Sequence, residues 1–178
     1  MPDPEVVERV DALGVSSFVG EGYRHMGPGY PPLSGEGARV RGGRWNPPNS
    51  FPTLYLALDL ETLGAEFHRA AEREGLQPEA LLPRRVYRYE IRLAAVLDLR
   101  DARALDAAGL TDADIESDDL RACQAVGEAG HYLGSEGILA PSAVGPGDVL
   151  AIFYSRLRPG SSVTHFELET WTSLPARS

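Results

Sequence analysis

Apolar and polar positions follow two different periods along the chain, and the changes of period predict where strands and helices lie. Apolar or alternating runs predict strands over residues 16–25, 53–57, 85–93, 96–99, 137–140, 148–154 and 163–171. Apolar residues at helical spacing predict helices over residues 4–13, 60–74, 101–108 and 118–133. Because strands and helices do not alternate regularly, we expect one α+β domain over residues 1–178 rather than a doubly wound sheet.

The helix predicted over residues 60–74 has a carboxylate at the edge of its apolar stripe. Asp59 stands where an N-cap residue is expected. Glu66 lies beside the leucine and alanine positions of the stripe, so it can face a cleft while the helix packs below. Arg69 and Arg73 are expected further round the helix, toward solvent.

Composition excludes several classes of protein. The chain has 178 residues, of which 43% are hydrophobic, and this fits a globular domain with a core. No run of 18 apolar residues is present, so we expect no membrane span, and the acidic N-terminus lacks the apolar region of a signal peptide. The single Cys123 cannot form an internal disulfide, which fits a cytoplasmic location.

Charge disfavours nucleic-acid binding, because the net charge is −9. All 17 basic residues are arginines. They include two local groups: Arg39, Arg41 and Arg44, and then Arg84, Arg85, Arg88 and Arg92. The second group alternates with apolar residues and fits the solvent face of a strand or a surface for an acidic partner. The four histidines and one cysteine show no metal-ligand spacing, so we expect no metal.

The long loop over residues 26–50 combines glycines, arginines, a tryptophan and a double proline. Glycine lets a backbone approach a ligand closely, and an arginine fork binds phosphate or carboxylate through paired hydrogen bonds. Asn49, after the prolines, is expected to tolerate a left-handed turn. The strand predicted over residues 53–57 would anchor the loop. The segment therefore predicts a rigid pocket for an anionic small molecule.

Five residues that can carry chemistry follow predicted strands, close the loop or lie on a helix edge: Arg24, Arg44, Tyr55, Glu66 and Ser142. Four of them also have an ordinary structural interpretation: Arg24 as a surface arginine, Tyr55 as a core residue, Glu66 as a solvated carboxylate and Ser142 as a turn residue. Their separation in sequence is large, so only the fold can bring them together.

Three segments of the sequence resemble a known family: GARVRGGRWNPPNSFPTLYLA, then AEFHRAAE, and much later GILAPSA. In this order they are similar to the RES domain, a family of bacterial toxins named for an Arg, a Glu and a Ser. The likeness extends from about Tyr23 to Tyr154. The LSGEGAR and CQAVG segments resemble mycobacterial members of this family, which break down NAD by phosphorolysis.

The resemblance implies a fold like that of ADP-ribosyltransferases, with a small split β-sheet core that clasps NAD. It assigns the three residues of the family name to Arg24, Glu66 and Ser142. Arg44 matches the arginine of the Gly-Gly-Arg-Trp-Asn segment, and Tyr55 matches the tyrosine of the following strand.

These assignments imply different roles for the site residues in the cleavage of NAD. Breaking the bond between nicotinamide and ribose builds positive charge on the sugar, which Glu66 would stabilise. Arg24 and Arg44 would hold the diphosphate or an incoming phosphate. Tyr55 would offer its ring to nicotinamide, and Ser142 would orient the ribose or Glu66.

Two further residues are candidate substrate contacts. His25 stands where a mycobacterial member of the family has a tyrosine; if that tyrosine contacts substrate, an imidazole, which can titrate near neutral pH, is expected to change affinity or pH response. Trp45 belongs to the Gly-Gly-Arg-Trp-Asn segment, where it is expected to pack as a lid over the core.

The resemblance implies a toxin of a type II toxin–antitoxin system, paired with an Xre-type antitoxin that blocks the pocket. Its substrate would be NAD+, cleaved by phosphorolysis to nicotinamide and ADP-ribose-1″-phosphate or by hydrolysis to ADP-ribose, without a cofactor. Two alternatives stay open: ADP-ribosyl transfer to a macromolecule, and a non-catalytic module that binds a nucleotide.

Overall fold

A six-stranded sheet organises the computed structural model, which describes residues 1–177. Its strands are β1 (Ser16–Met26), β2 (Thr53–Ala57), β3 (Arg84–Asp98), β4 (Gly137–Pro141), β5 (Asp148–Phe153) and β6 (Ser162–Trp171). The α-helices are α1 (Pro4–Leu13), α2 (Glu36–Arg41), α3 (Leu60–Glu74), α4 (Ala102–Ala107), α5 (Asp112–Glu116) and α6 (Arg121–Tyr132). Short 3₁₀ helices span Pro78–Leu81 and Tyr154–Arg156. The predicted α+β class is confirmed.

The sheet curves into a ring. The strand order is β1-β2-β5-β4-β3-β6, and β1 also pairs with β3 along most of its length. The contact between β1 and β2 is a single bridge, in which Tyr23 pairs with Ala57. The predicted split sheet is therefore more closed than expected, but one seam of the ring is narrow.

β3 is one continuous strand, whereas the sequence predicts two, over 85–93 and 96–99. Its outer edge pairs first with β6 and then, from Val96, with β4. The fully buried Glu136 fills the gap between them, because its Oε2 accepts the backbone N–H groups of Ala94 and Ala95 at 2.6 and 2.8 Å. Burial acts to raise the pKa of Glu136, but the hydrogen bonds it accepts from backbone amides, including that of Arg158, contribute to a pKa that is lowered overall.

Two apolar clusters cover the two faces of the curved sheet. Strand residues of the inner face form one cluster, which includes Leu54, Leu56 and Ile152. Alternate residues of the same strands face outward, where Phe153 packs with α1 and α6. Because successive strand residues point to opposite faces, β2, β3, β4 and β5 each contribute to both clusters.

The sequence predicted a loop over residues 26–50, but the structure places the helix α2 within this segment. This helix ends at Gly42, which has a φ of 78° and packs against Pro48. Asn49 has a φ of 57°, so the predicted left-handed turn is confirmed. The C-terminal helix predicted over 118–133 is shorter at its start, because residues 117–120 form the connection from α5.

α3 agrees with the predicted bounds, and its caps explain why. The Asp59 side chain accepts the backbone N–H of Thr62 at 2.7 Å, and Gly75 ends the helix in the left-handed conformation. The segment after β6 packs on α3, where a hydrogen bond of 2.9 Å joins His68 Nε2 to the carbonyl oxygen of Pro175. No helix among residues 1–177 combines the length and the apolar character that a bilayer crossing requires.

Two glycines of α6 differ in the space around them, and this difference predicts opposite effects of substitution. A Cβ at Gly127 would lie 1.8 Å from the carbonyl oxygen of Trp45, whereas a Cβ at Gly130 would have its nearest neighbour at 3.8 Å. We expect Gly127→Ala to destabilise by about 1–3 kcal/mol or more, because backbone must move. Gly130→Ala should stabilise by up to about 0.5–1 kcal/mol. Urea unfolding followed by circular dichroism measures both; equal effects would contradict the packing of Trp45 on α6.

Candidate active site

A cavity of about 310 Å³ opens at the seam of the ring. Beyond the bridge between Tyr23 and Ala57, β1 and β2 diverge, and the next residues of each strand line the opening. Arg24 comes from β1 and Tyr55 from β2. At this narrow closure of the sheet, β1 and β2 both present residues to the same cavity.

The structure brings the predicted site residues together. Six of them line the cavity: Arg24, His25, Arg44, Trp45, Tyr55 and Glu66. The seventh, Ser142, follows β4 and reaches the site through a hydrogen bond to Glu66. Residues from two strands, a loop and a helix converge here, which their separation in sequence did not reveal.

The Glu66 carboxylate is held by a directed hydrogen bond. Ser142 Oγ accepts the backbone N–H groups of Val144 at 3.2 Å and Gly145 at 2.9 Å. With its lone pairs occupied by these donors, the hydroxyl directs its own proton to Glu66 Oε1 at 2.6 Å. Of the two predicted roles for Ser142, orientation of the ribose or of Glu66, this geometry fits the second. The other carboxylate oxygen of Glu66 has no hydrogen-bond partner among residues 1–177.

Arg24 and Arg44 are positioned by backbone carbonyls. Arg24 Nη1 donates to the carbonyl oxygen of Ser34 at 2.8 Å. Arg44 Nη1 donates to Asp114 and Ser117 and its Nη2 to Ser117, all at 3.1 Å. Neither arginine pairs with an acidic side chain within residues 1–177. Part of the Arg44 donor set is therefore used inside the protein, while its positive charge is left for the cavity.

Tyr55 fixes the glycine–arginine loop from below. Its hydroxyl accepts the backbone N–H of Trp45 and donates to Asn46 Oδ1, both at 2.8 Å. Gly43 is required beside it, because a Cβ there would lie 2.5 Å from the Tyr55 hydroxyl oxygen. Burial raises the pKa of Tyr55, so the phenol stays protonated. The Trp45 side chain is 1% exposed and packs in the core, as predicted.

His25 is a neutral member of the cavity wall. Its Nδ1 accepts from Arg84 Nε at 3.1 Å, and its ring stacks on Trp171 at 5.8 Å between centroids. Burial and, secondarily, the charges of Arg84 and Arg24 lower the pKa of His25 to about 3. Titration near neutral pH, which the sequence suggested, is therefore not expected at this position.

Arg69 and Arg73 line the cavity, although the sequence predicted that they would point to solvent. They follow Glu66 by three and seven residues, so helical spacing places all three on one side of α3. That spacing was the available signal. Only the position of the cavity, which lies over this side of the helix, could decide between the two interpretations.

The cavity concentrates positive charge in an acidic chain. Four arginines and one glutamate line it, although the net charge of the protein is −9. Leu56, Leu63 and Val149 add apolar wall. Such a site suits a ligand with several negative charges and a flat or apolar part. Residues 1–177 contain no cluster of three or more histidine, cysteine, aspartate or glutamate side chains able to hold a metal ion.

The Tyr55 hydroxyl makes a measurable contribution to stability. Tyr55→Phe leaves the Trp45 N–H and Asn46 Oδ1 without this partner, so we expect a loss of about 1–3 kcal/mol in the free energy of unfolding. Urea denaturation measures it. Tyr132→Phe is the matched control, because Tyr132 is 56% exposed and makes no side-chain hydrogen bond within residues 1–177. Equal stabilities of the two variants would contradict a structural role for this hydroxyl.

The lowered pKa of His25 predicts that the stability of the folded protein depends on pH. As pH falls below about 6.5, the unfolded chain binds a proton at His25 while the folded protein does not, down to a pKa of about 3. Stability conferred by the neutral ring is thus lost on acidification over this window. We expect His25→Tyr to reduce the difference in urea midpoint between pH 7.5 and 4.5, and the exposed His165→Gln to leave it unchanged. An undiminished difference in His25→Tyr would refute the assignment.

Comparison with known proteins shows the family to which this chain belongs. The family model of the RES domain matches residues 21–172. NAD(+) phosphorylase MbcT of Mycobacterium bovis is 41% identical over 160 residues, which cover 89% of this chain and 86% of MbcT, and MbcT of Mycobacterium tuberculosis H37Rv gives the same values. The crystal structure of the M. tuberculosis MbcT–MbcA toxin–antitoxin complex matches with a TM-score of 0.80 and 39% identity, covering 93% of each chain. The chain belongs to the RES domain family, as the sequence motifs predicted.

Proposed function

We propose that this protein is a toxin that degrades NAD+ by phosphorolysis. The observation that carries the proposal is the Glu66 carboxylate, oriented by Ser142 at the wall of a cavity that four arginines surround. The relatives named NAD(+) phosphorylase match this chain over most of its length, which supports the same reaction here.

Cleavage of NAD+ requires stabilisation of a sugar cation. When the bond between the ribose C1″ and the pyridinium nitrogen breaks, its electron pair goes to the ring, and nicotinamide leaves as a neutral molecule. Positive charge then builds on the ribose, and the carboxylate of Glu66 stabilises it. A neutral leaving group needs no general acid, so the absence of a titrating His25 from this step is no obstacle.

Two of the four arginines suit the diphosphate of the substrate. Arg24 and Arg44 lie on the strand and loop walls, where their charges suit the diphosphate of the dinucleotide. A phosphate oxygen then attacks C1″ to give ADP-ribose-1″-phosphate, and water in its place gives ADP-ribose. NAD+ is the substrate and phosphate the co-substrate, so no further cofactor enters the reaction.

Similarity to a toxin–antitoxin complex also supports an antitoxin partner for this protein. The matched crystal structure is of a toxin–antitoxin complex. We infer that this chain also has an antitoxin, of the Xre type, that covers the cavity and forms a hetero-oligomer with it. The proposed site of action is the cytoplasm, a reducing compartment that suits a chain with a single free cysteine.

Product analysis tests the proposal. We expect the purified protein to release nicotinamide from NAD+, with ADP-ribose-1″-phosphate as co-product when phosphate is present. Glu66→Gln keeps the size of the side chain but removes its charge, so kcat should fall by about 100- to 1000-fold. Glu61→Gln is the matched control, because Glu61 is an exposed carboxylate on the same helix. Chromatography of the products measures both variants.

The other outcomes separate the alternatives. ADP-ribose as the only product at high phosphate concentration would indicate hydrolysis. Labelled macromolecules after incubation with labelled NAD+ and lysate would indicate ADP-ribosyl transfer. Tight binding of NAD+ without nicotinamide release would identify a binding module, and wild-type turnover in Glu66→Gln would remove Glu66 from the mechanism.

A further inference from the structure

α3 carries two arginines that the mechanism above does not use. Arg69 and Arg73 lie about one and two turns beyond Glu66, on the same side of the helix and in the wall of the cavity. Residues four apart on a helix have Cβ atoms about 5–6 Å apart, so both guanidinium groups can reach one tetrahedral anion. Both are on the α3 wall, whereas Arg24 and Arg44 come from β1 and the loop.

Arg69 forms an ion pair with a carboxylate of the same chain. Its Nη2 lies 2.5 Å from Asp118 Oδ1, across 49 residues of sequence. The Asp118 side chain is 74% exposed, and its carboxylate makes no other hydrogen bond among residues 1–177. Arg73 pairs with no acidic side chain in the same range. Asp118 therefore pairs with Arg69, while Arg73, one turn further along α3, has no acidic partner within residues 1–177.

The segment that supplies Asp118 also contacts a second cavity arginine. The carbonyl oxygens of Asp114 and Ser117 accept hydrogen bonds from Arg44, on the loop wall. Residues 114–118 thus contact arginines from two sides of the cavity. Arg69 is contacted by the Asp118 side chain, whereas Arg44 is contacted by backbone carbonyls, so the two arginines use different groups of this segment.

We propose that Arg69 and Arg73 form a second anion subsite, which receives the attacking phosphate, and that Asp118 occupies this subsite until phosphate displaces it. The inference rests on the proposed function, because it gives the co-substrate a place next to Glu66. Arg24 and Arg44 then remain for the diphosphate of NAD+. Asp118 acts as an internal competitor that sets the phosphate concentration at which the subsite fills.

The relative strengths of the two interactions support displacement. An ion pair with one highly exposed partner contributes little, because solvent screens it and both side chains lose freedom. A phosphate dianion between two arginines accepts several charge-assisted hydrogen bonds and carries twice the charge. The carboxylate is therefore a weak occupant that phosphate can replace.

Calorimetric titration of the full-length protein with inorganic phosphate, in the absence of dinucleotide, tests the subsite. We expect Asp118→Asn to lower the phosphate Kd by about two- to fivefold, the value of an exposed ion pair. Arg69→Gln should raise it by at least about tenfold, through loss of charged hydrogen bonds. Asp119→Asn is the matched control, because Asp119 is the neighbouring carboxylate and pairs with Arg121 outside the cavity.

A second titration with ADP-ribose distinguishes the two sources of phosphate. Arg69→Gln should leave the ADP-ribose Kd within about twofold if the subsite serves free phosphate. Loss of ADP-ribose affinity with unchanged phosphate affinity would overturn the assignment, as would an unchanged phosphate Kd in Asp118→Asn. Arg69→Lys, which keeps the charge but not the planar fork, provides an intermediate variant if Arg69→Gln does not fold.

These measurements are independent of turnover. If no nicotinamide is released with or without phosphate, the proposed function fails, yet the phosphate titrations still report on Arg69 and Asp118. If the wild-type protein and Asp118→Asn bind no phosphate at millimolar concentration, the subsite is refuted, whereas NAD+ hydrolysis at Glu66 would still be possible.

Discussion

The site depends on the positive charge of Arg24 and Arg44, which pair with no acidic side chain within residues 1–177. The chain has more acids than bases, so an arginine at a surface cleft would readily find a carboxylate. Arg24 and Arg44 avoid this because backbone carbonyls hold their guanidinium groups. A carbonyl oxygen satisfies a donor but carries only a partial charge, so the arginine is fixed in place while its field still acts on the cavity.

Hydrogen bonds of buried polar groups also hold the loop between α2 and β2. Tyr55 joins the backbone of Trp45 to the side chain of Asn46, and the buried amide of Asn46 donates to the carbonyl oxygen of Ala38 at 2.8 Å. The buried polar side chains of Tyr55 and Asn46 thus have hydrogen-bond partners, and these bonds tie the loop to β2 and α2. Ser142 does for Glu66 what Tyr55 does for the loop, since backbone amides orient a hydroxyl that then orients a functional side chain.

Local features of this fold could be predicted from sequence, and features that depend on distant contacts could not. The bounds of α3 agree because a capping aspartate and a terminal glycine lie next to it in the chain. Ring closure depends on pairing between Tyr23 and Ala57, which no local pattern indicates. The neutral state of His25 depends on its burial and, secondarily, on Arg84, 59 residues away. The orientation of Arg69 likewise required knowing which side of α3 faces a cavity.

The seam of the ring has a mechanical consequence. β1 is bound to β3 along almost its whole length, but to β2 at Tyr23 and Ala57 alone. Widening the gap between β1 and β2 would break few backbone hydrogen bonds, whereas separating β1 from β3 would break a full ladder. The cavity is therefore bordered by a weakly bonded seam on the side of β2, while the arginine of β1 belongs to a strand that a full ladder fixes to β3.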